Sequence, residues 1–122
     1  MLKKILVVCC IVISPVAPAQ YYDGNVLNDW SNALQKWKTG ANTSNNDLSD
    51  ARAFQAYVGG VVDAVDGNQF CIPDNVKLGQ IFDITSNYLS ATPERRSLPA
   101  SEIVITAISE KFPCKNRPWQ KY

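Results

Sequence analysis

Residues 51–65 read ARAFQAYVGGVVDAV, the clearest periodic segment of the chain. Its large apolar side chains recur every three or four positions, and they are Phe54, Val58, Val61, Val62 and Val65. This spacing places them on one face of an α-helix. The β-branched valines leave a strand as the alternative, but the apolar residues do not alternate and the neighbouring alanines favour a helix. The segment therefore predicts an amphipathic helix.

A first helix and a loop are predicted before this segment. The apolar residues at helical spacing are Val26, Leu27, Trp30, Ala33, Leu34 and Trp37, all of which we expect to face the core. The helix is expected to end near Gly40. Residues 39–46 are polar and rich in turn-forming types, which predicts a mobile loop. The helix that follows is expected to be capped by Asp47 or Ser49.

Two more helices are predicted after the central segment. Asp74 or Asn75 is expected to cap the third helix, which stops before Pro93 because the residue preceding a proline disfavours helical geometry. Ser97 is expected to cap the fourth helix, with Pro99 in its first turn. Because the connections are short and no strand pattern appears, the sequence predicts an all-α fold, a compact bundle of about four helices.

The first nineteen residues have the pattern of a secretory signal. Two lysines precede an apolar run that is too short to span a membrane, and residues 17–19 (APA) form a small-x-small cleavage site. We expect cleavage after Ala19 and a single helical domain over residues 20–122. Cys9 raises the alternative of a lipoprotein, but Val8 precedes it where a lipid-accepting cysteine needs a small residue.

Two cysteines remain after the expected cleavage, Cys71 and Cys114. A domain of about 100 residues has a modest core, so a covalent link adds useful stability. Closing a loop of about 44 residues in the unfolded chain is worth roughly 4 kcal/mol in the chain-entropy estimate. We therefore predict a structural Cys71–Cys114 disulfide. The formal net charge is only +1, so no strongly basic or acidic partner is indicated.

The composition argues against an enzyme. The chain contains no histidine, which removes Ser-His and Cys-His nucleophile pairs and histidine metal ligands. No phosphate-binding glycine motif or CxxC pair occurs. Asp63 and Asp66 lie three positions apart, but we interpret them as a solvated face because no third ligand or base accompanies them. We predict no catalytic residues, no cofactor and no metal.

Several other residues have two interpretations. The pair Gly59 and Gly60 indicates either close packing of another helix or a functional kink. Trp30 and Trp37 are expected to pack in the core rather than to bind a ligand. The aromatic residues near the termini are candidates for docking or dimerisation, and they are Tyr21, Tyr22, Trp119 and Tyr122.

Residues 94–96 form a charged turn between the third and fourth helices. Glu94, Arg95 and Arg96 either cap helix ends and pair locally, or protrude into the cleft of a partner. In the second case the planar guanidinium groups would pair with carboxylates.

An ordered set of short motifs covers the second half of the chain. They are FQAYVGGVVDA (54–64), FCIP (70–73), GQ (79–80), YL (88–89), PERR (93–96) and FPC (112–114). In this order the motifs resemble the Rap/Tai family, the immunity proteins of bacterial type VI secretion systems. The family pattern usually has a histidine just before the Pro-Glu-x-Arg turn, where this chain has Thr92.

The resemblance implies a periplasmic helical protein that inhibits a peptidoglycan-cleaving amidase effector and protects the producing cell. Members of this kind are often homodimers that contact the effector through helix faces and a loop. If the shared motifs build the fold, the residues that determine which effector is bound lie outside them, for example in the loop of residues 39–46. The predicted partner-binding residues are Asn42, Ser44, Asn45 and Asn46 in the loop and Glu94, Arg95 and Arg96 in the charged turn.

Two other functions fit part of the sequence. An acid-stress periplasmic holdase chaperone is also small, helical, secreted and linked by one disulfide, and without histidine only its carboxylates would sense acid. An enzyme acting on cell-wall fragments is the third class. Suppression of client aggregation in acid, or turnover of muropeptides, would distinguish these functions from inhibition of an effector.

Overall fold

The computed structural model describes residues 21–115, which form a helical bundle with one disulfide. The described residues contain four α-helices, α1 (Gly24–Lys38), α2 (Asn45–Val65), α3 (Leu78–Ala91) and α4 (Ala100–Lys111), and a short 3-10 helix, Pro93–Arg95. The predicted all-α fold of about four helices is confirmed. The predicted signal segment, Trp119 and Tyr122 lie outside the described residues.

Helix α1 begins at a side-chain cap. The Asp23 carboxylate accepts a hydrogen bond from the backbone N–H of Val26 at 3.0 Å. This bond, followed by the polar contacts of Asn25, holds the pKa of Asp23 below its ordinary value. The helix ends at Lys38, and Gly40 follows with a φ of 69°, which a glycine adopts without strain. The predicted end near Gly40 is confirmed.

Helix α2 is the central segment, so the helical prediction is confirmed and the strand alternative is wrong. It begins earlier than predicted, because Ser44 and Asp47 form a reciprocal capping pair. The predicted caps were therefore wrong: Asp47 occupies the third helical position and Ser49 lies further inside the helix. The Ser-x-x-Asp spacing is the signal that identifies Ser44.

The starts of α3 and α4 also differ from the predictions. Asp74 and Asn75 lie in a turn before α3, and the Gln80 side-chain oxygen instead accepts from the backbone N–H of Lys77 at 2.8 Å. Ser97 does not cap α4, whose N-cap residue is Pro99. The reason is tertiary, since the N–H of Ala100 donates to the carbonyl oxygen of Tyr22 at 3.0 Å.

The core lies between the four helices. Its largest fully buried apolar side chains are Phe54, Phe70, Leu27, Leu34, Ile81, Leu89, Ile103, Ile108, Val58 and Val104. A buried polar contact crosses this core, where the Ser31 hydroxyl of α1 donates to the Ser86 hydroxyl of α3 at 2.8 Å. A buried hydroxyl pair of this kind is satisfied only when the two helices are in register, so it adds specificity to their packing.

The predicted disulfide is present between Cys71 and Cys114, whose Cα atoms lie 4.9 Å apart. Beside it, the N–H of Cys71 donates to the carbonyl oxygen of Phe112 at 2.9 Å. The disulfide and the backbone bond together tie the segment that leads into α3 to the end of α4.

Close backbone packing occurs at a different glycine from the predicted pair. A Cβ built on Gly60 would meet nothing within 4 Å, and one on Gly59 would meet only a Leu78 methyl group at 3.9 Å. The prediction that another helix packs closely there is wrong. The close approach is at Gly24, where a Cβ would lie 2.7 Å from Cα of Arg96. None of the described helices is long and apolar enough to cross a membrane.

Candidate protein-binding surfaces

The connection from α1 to α2 carries four of the predicted partner-binding residues. The side chains of Asn42, Ser44, Asn45 and Asn46 are all exposed. Because α2 begins at Asn45, the irregular connection is shorter than predicted, and two of the four residues lie in the first helical turn. These side chains therefore project from the helix start as well as from the loop.

The capping pair fixes the α2 side of this connection. The Ser44 hydroxyl accepts from the N–H of Asp47 at 3.1 Å, and the Asp47 carboxylate accepts from the N–H of Ser44 at 2.9 Å. Lys36 of α1 adds an ion pair to the same carboxylate at 3.3 Å. The hydrogen bonds from Ser44, and then the contact with Lys36, hold the pKa of Asp47 below its ordinary value. Ser44 thus has a structural role at the position where we predict partner contact.

The α1 side of the connection is also fixed. The Thr39 hydroxyl donates to the carbonyl oxygens of Gln35 and Lys36 at 3.0 and 3.1 Å. The N–H of Ala41 donates to the same Lys36 oxygen at 3.1 Å. The predicted mobile loop is therefore anchored by hydrogen bonds at both ends, and a surface fixed in this way loses less conformational entropy when it binds a partner.

The charged turn divides into residues with different roles. Glu94 is exposed. Arg96 is half-buried, and its Nε donates to the carbonyl oxygen of Leu89 at 2.9 Å, so it caps the end of α3. This confirms the local interpretation for Arg96. Arg95 is also half-buried, and its buried Nε has no acceptor among the residues that the structure describes.

The structure places the two predicted sets at opposite ends of α1. The charged turn packs against the first residue of the helix, since Arg96 approaches Gly24 closely. The loop follows the last residue, Lys38. A helix of 15 residues is about 21 Å long, so the two sets are separated by about that distance. One interface that uses both sets would have to extend along the helix.

Among the aromatic residues, Trp30 and Trp37 behave differently. Trp30 is half-buried, and its ring centroid lies 4.8 Å from that of Tyr22 and 6.3 Å from that of Tyr57. Its predicted packing role is confirmed. Trp37 is 56% exposed, so the prediction of core packing was wrong there. The apolar stripe extends one turn past the buried part of the helix. Tyr21 is 90% exposed.

The predicted solvated face of α2 is confirmed. Asp63 and Asp66 are exposed, and the Asp66 carboxylate accepts from the N–H of Ile72 at 2.9 Å. Within residues 21–115, no group of three or more Cys, Asp or Glu side chains is placed to hold a metal ion. Through its bond with Ile72, Asp66 closes the turn between α2 and the segment that contains Cys71.

The fold and these surfaces define a class of molecule, a small disulfide-linked helical domain with polar side chains presented at both ends of its first helix. A model of the family described as Rap1a immunity proteins matches residues 25–114. The match spans well over half of the chain, and the protein belongs to this family. A comparison with curated proteins finds no match.

Membership confirms the resemblance found in the motifs. It assigns the protein to the immunity proteins that act against a bacterial effector, so its partner is an effector protein. Immunity proteins of this kind are typically not enzymes, which agrees with the class expected from the composition. The surfaces described above are then the candidates for contact with the effector.

Proposed function

We propose that this protein is a periplasmic immunity protein that binds and inhibits a peptidoglycan amidase delivered by a type VI secretion system. The observation that carries the proposal is the match of residues 25–114 to Rap1a immunity proteins. The signal-like pattern of residues 1–19 supports a periplasmic location, with cleavage after Ala19. The Cys71–Cys114 disulfide supports it as well, because such bonds form and persist in oxidising compartments.

The proposed mechanism is steric. The immunity protein covers the active-site cleft of the amidase and so prevents the cell-wall substrate from entering, which requires no cofactor. The mechanism is supported by exposed polar residues on a fixed base, such as Asn45 and Asn46 beside the Ser44 cap. A blocking surface held in one conformation binds with a smaller entropic cost than a disordered one.

The disulfide contributes to the same mechanism. It links the entry to α3 with the exit from α4, and the charged turn lies between these two helices. We therefore expect the bond to keep Glu94 and Arg95 in a fixed position relative to the bundle. Binding should weaken when the bond is lost, even where the domain remains folded.

The test uses the oxidised protein lacking residues 1–19. Isothermal titration against a panel of purified type VI peptidoglycan amidases is combined with an assay of cell-wall hydrolysis. Asn46→Ala and Glu94→Ala probe the two ends of α1, and Gln69→Ala is the matched control because Gln69 is exposed in the turn after α2. Light scattering of the same samples measures whether the protein is the homodimer that we also propose.

Nanomolar binding that abolishes hydrolysis by one amidase is the expected result. A loss of affinity in Asn46→Ala or Glu94→Ala, with Gln69→Ala unchanged, would locate the contact at one end of the helix. Absence of binding to every amidase in the panel would contradict the proposed target. Suppression of client aggregation at acidic pH in that case would favour the holdase function.

A further inference from the structure

Trp37 is an exposed tryptophan near the end of a regular helix. It lies in the last turn of α1 and is 56% exposed. The other large apolar side chains that are exposed among residues 21–115 are Tyr21 and Tyr22, which precede α1, and Leu78, which opens α3. Single exposed apolar residues are ordinary on protein surfaces, so exposure alone does not identify Trp37 as a binding residue.

Two ion pairs hold the turn that carries Trp37. Lys36 Nζ lies 3.3 Å from the carboxylate of Asp47 in α2, and Lys38 Nζ lies 2.6 Å from the carboxylate of Asp83 in α3. The residues on both sides of the tryptophan are therefore attached to different helices. Both lysines that flank Trp37 in the chain are thus paired with a carboxylate, so these four charges sum to zero.

Helical geometry places Trp37 beside the predicted partner-binding loop. Positions 30, 33 and 37 share one face of α1, because they are separated by three and four residues. Trp30 on this face contacts Tyr57 of α2. The face is thus directed toward α2, and at the end of α1 the neighbouring part of α2 is its first turn, where Asn45 and Asn46 are exposed.

We propose that Trp37 is the anchor residue of the surface that contacts the effector, an inference that rests on the proposed function. The complementary site on the effector is an uncharged apolar pocket, rimmed by groups that hydrogen-bond to Asn42, Asn45 and Asn46. The chemistry of the patch supports this partner. Interface centres are depleted in charge and enriched in tryptophan, and binding loops combine such rigid aromatics with Asn, Ser and Gly.

The test compares Trp37→Ala with Leu78→Ala, which removes another exposed large apolar side chain, at the start of α3. The probe is whichever purified type VI amidase binds the wild-type protein. Trp37→Ala is expected to raise Kd by at least about thirty-fold, the size expected for an anchor residue. Leu78→Ala should change Kd by less than about threefold, and Trp37→Phe should give an intermediate loss. Melting temperatures of the variants are measured in parallel, to show that they remain folded.

Three outcomes would overturn the inference in distinguishable ways. If wild type inhibits an amidase and Trp37→Ala binds equally well, the anchor is refuted while the proposed function stands. If Trp37→Ala dissociates a wild-type dimer without changing affinity for the amidase, the patch faces a second copy of the chain instead. If wild type binds no amidase in the panel, the proposed function fails and the assigned partner of Trp37 fails with it.

Discussion

Replacing Gly24 with alanine tests a close backbone contact in this fold. Gly24 is the first residue of α1, and its N–H donates to the carbonyl oxygen of Leu98 at 3.0 Å. A Cβ on Gly24 would lie 2.7 Å from Cα and 2.8 Å from the carbonyl oxygen of Arg96. Both atoms belong to the backbone, so they cannot move away by a simple side-chain rotation.

The expected cost follows from this crowding. Inserting a methyl group into a site without space costs about 1–3 kcal/mol of folding free energy. For a domain of about 100 residues, 1 kcal/mol corresponds to a change in Tm of about 4–8 °C. We therefore expect Gly24→Ala to lower the Tm by about 10 °C. Because Arg96 must shift, we also expect weaker effector binding if the charged turn contributes to the interface.

Gly60→Ala is the matched control. The new methyl group would meet nothing within 4 Å, and alanine is favoured over glycine inside a helix by about 1 kcal/mol. The Tm should therefore rise by about 4–8 °C. Thermal unfolding followed by circular dichroism, with the disulfide intact, measures both variants. A Gly24→Ala protein that melts within 2 °C or so of wild type would refute the packing argument, since thermal shifts resolve changes of that size.

Three further predictions concern the disulfide, the charged turn and the start of α2. Cys71→Ser should lower the free energy of unfolding by roughly 4 kcal/mol and weaken effector binding. Unchanged affinity at a temperature where the variant stays folded would exclude preorganisation by the disulfide. Arg95→Met should leave the free energy of unfolding unchanged or raise it, because the buried Nε of Arg95 has no described acceptor. Arg96→Met should lower the free energy of unfolding by about 1.5 kcal/mol, because it removes the bond to the end of α3. Urea unfolding measures both variants, and the reverse order would contradict these roles. The lowered pKa of Asp47 implies a stabilising contribution that is present above its unfolded pKa and lost as the pH falls below about 4. The Tm of wild type should therefore decline more steeply between about pH 5 and 3 than the Tm of Asp47→Asn. Equal slopes would contradict this role of the Asp47 carboxylate.

Local patterns were sufficient to predict the helices. The stripe from Phe54 to Val65 identified α2, and the turn-rich residues after Lys38 located the connection before it. The helix starts were predicted less well. Capping depends on which hydrogen-bond partner is available, and for α4 the partner is the carbonyl of Tyr22, about 80 positions away in the chain.

The candidate surface was predicted in part. The exposure of Asn42, Asn45 and Asn46 agrees with their polar character and their place beside a turn. The capping role of Arg96 and the exposure of Trp37 were not decided by the sequence. The sequence around an arginine in a charged turn does not show whether its N–H donates to a helix carbonyl or to water. The spacing of a tryptophan on an apolar stripe does not show whether a neighbouring side chain covers it.

The sequence by itself determined the helical periodicity, the pairing of Cys71 with Cys114 and the family, because each depends on residue types at fixed spacing along the chain. Only the tertiary structure decided that Gly24, and not Gly59 or Gly60, lies against another backbone. It also decided that the loop and the charged turn lie at opposite ends of α1. These features depend on how distant segments meet in space, and no local pattern along the chain specifies which residues will meet.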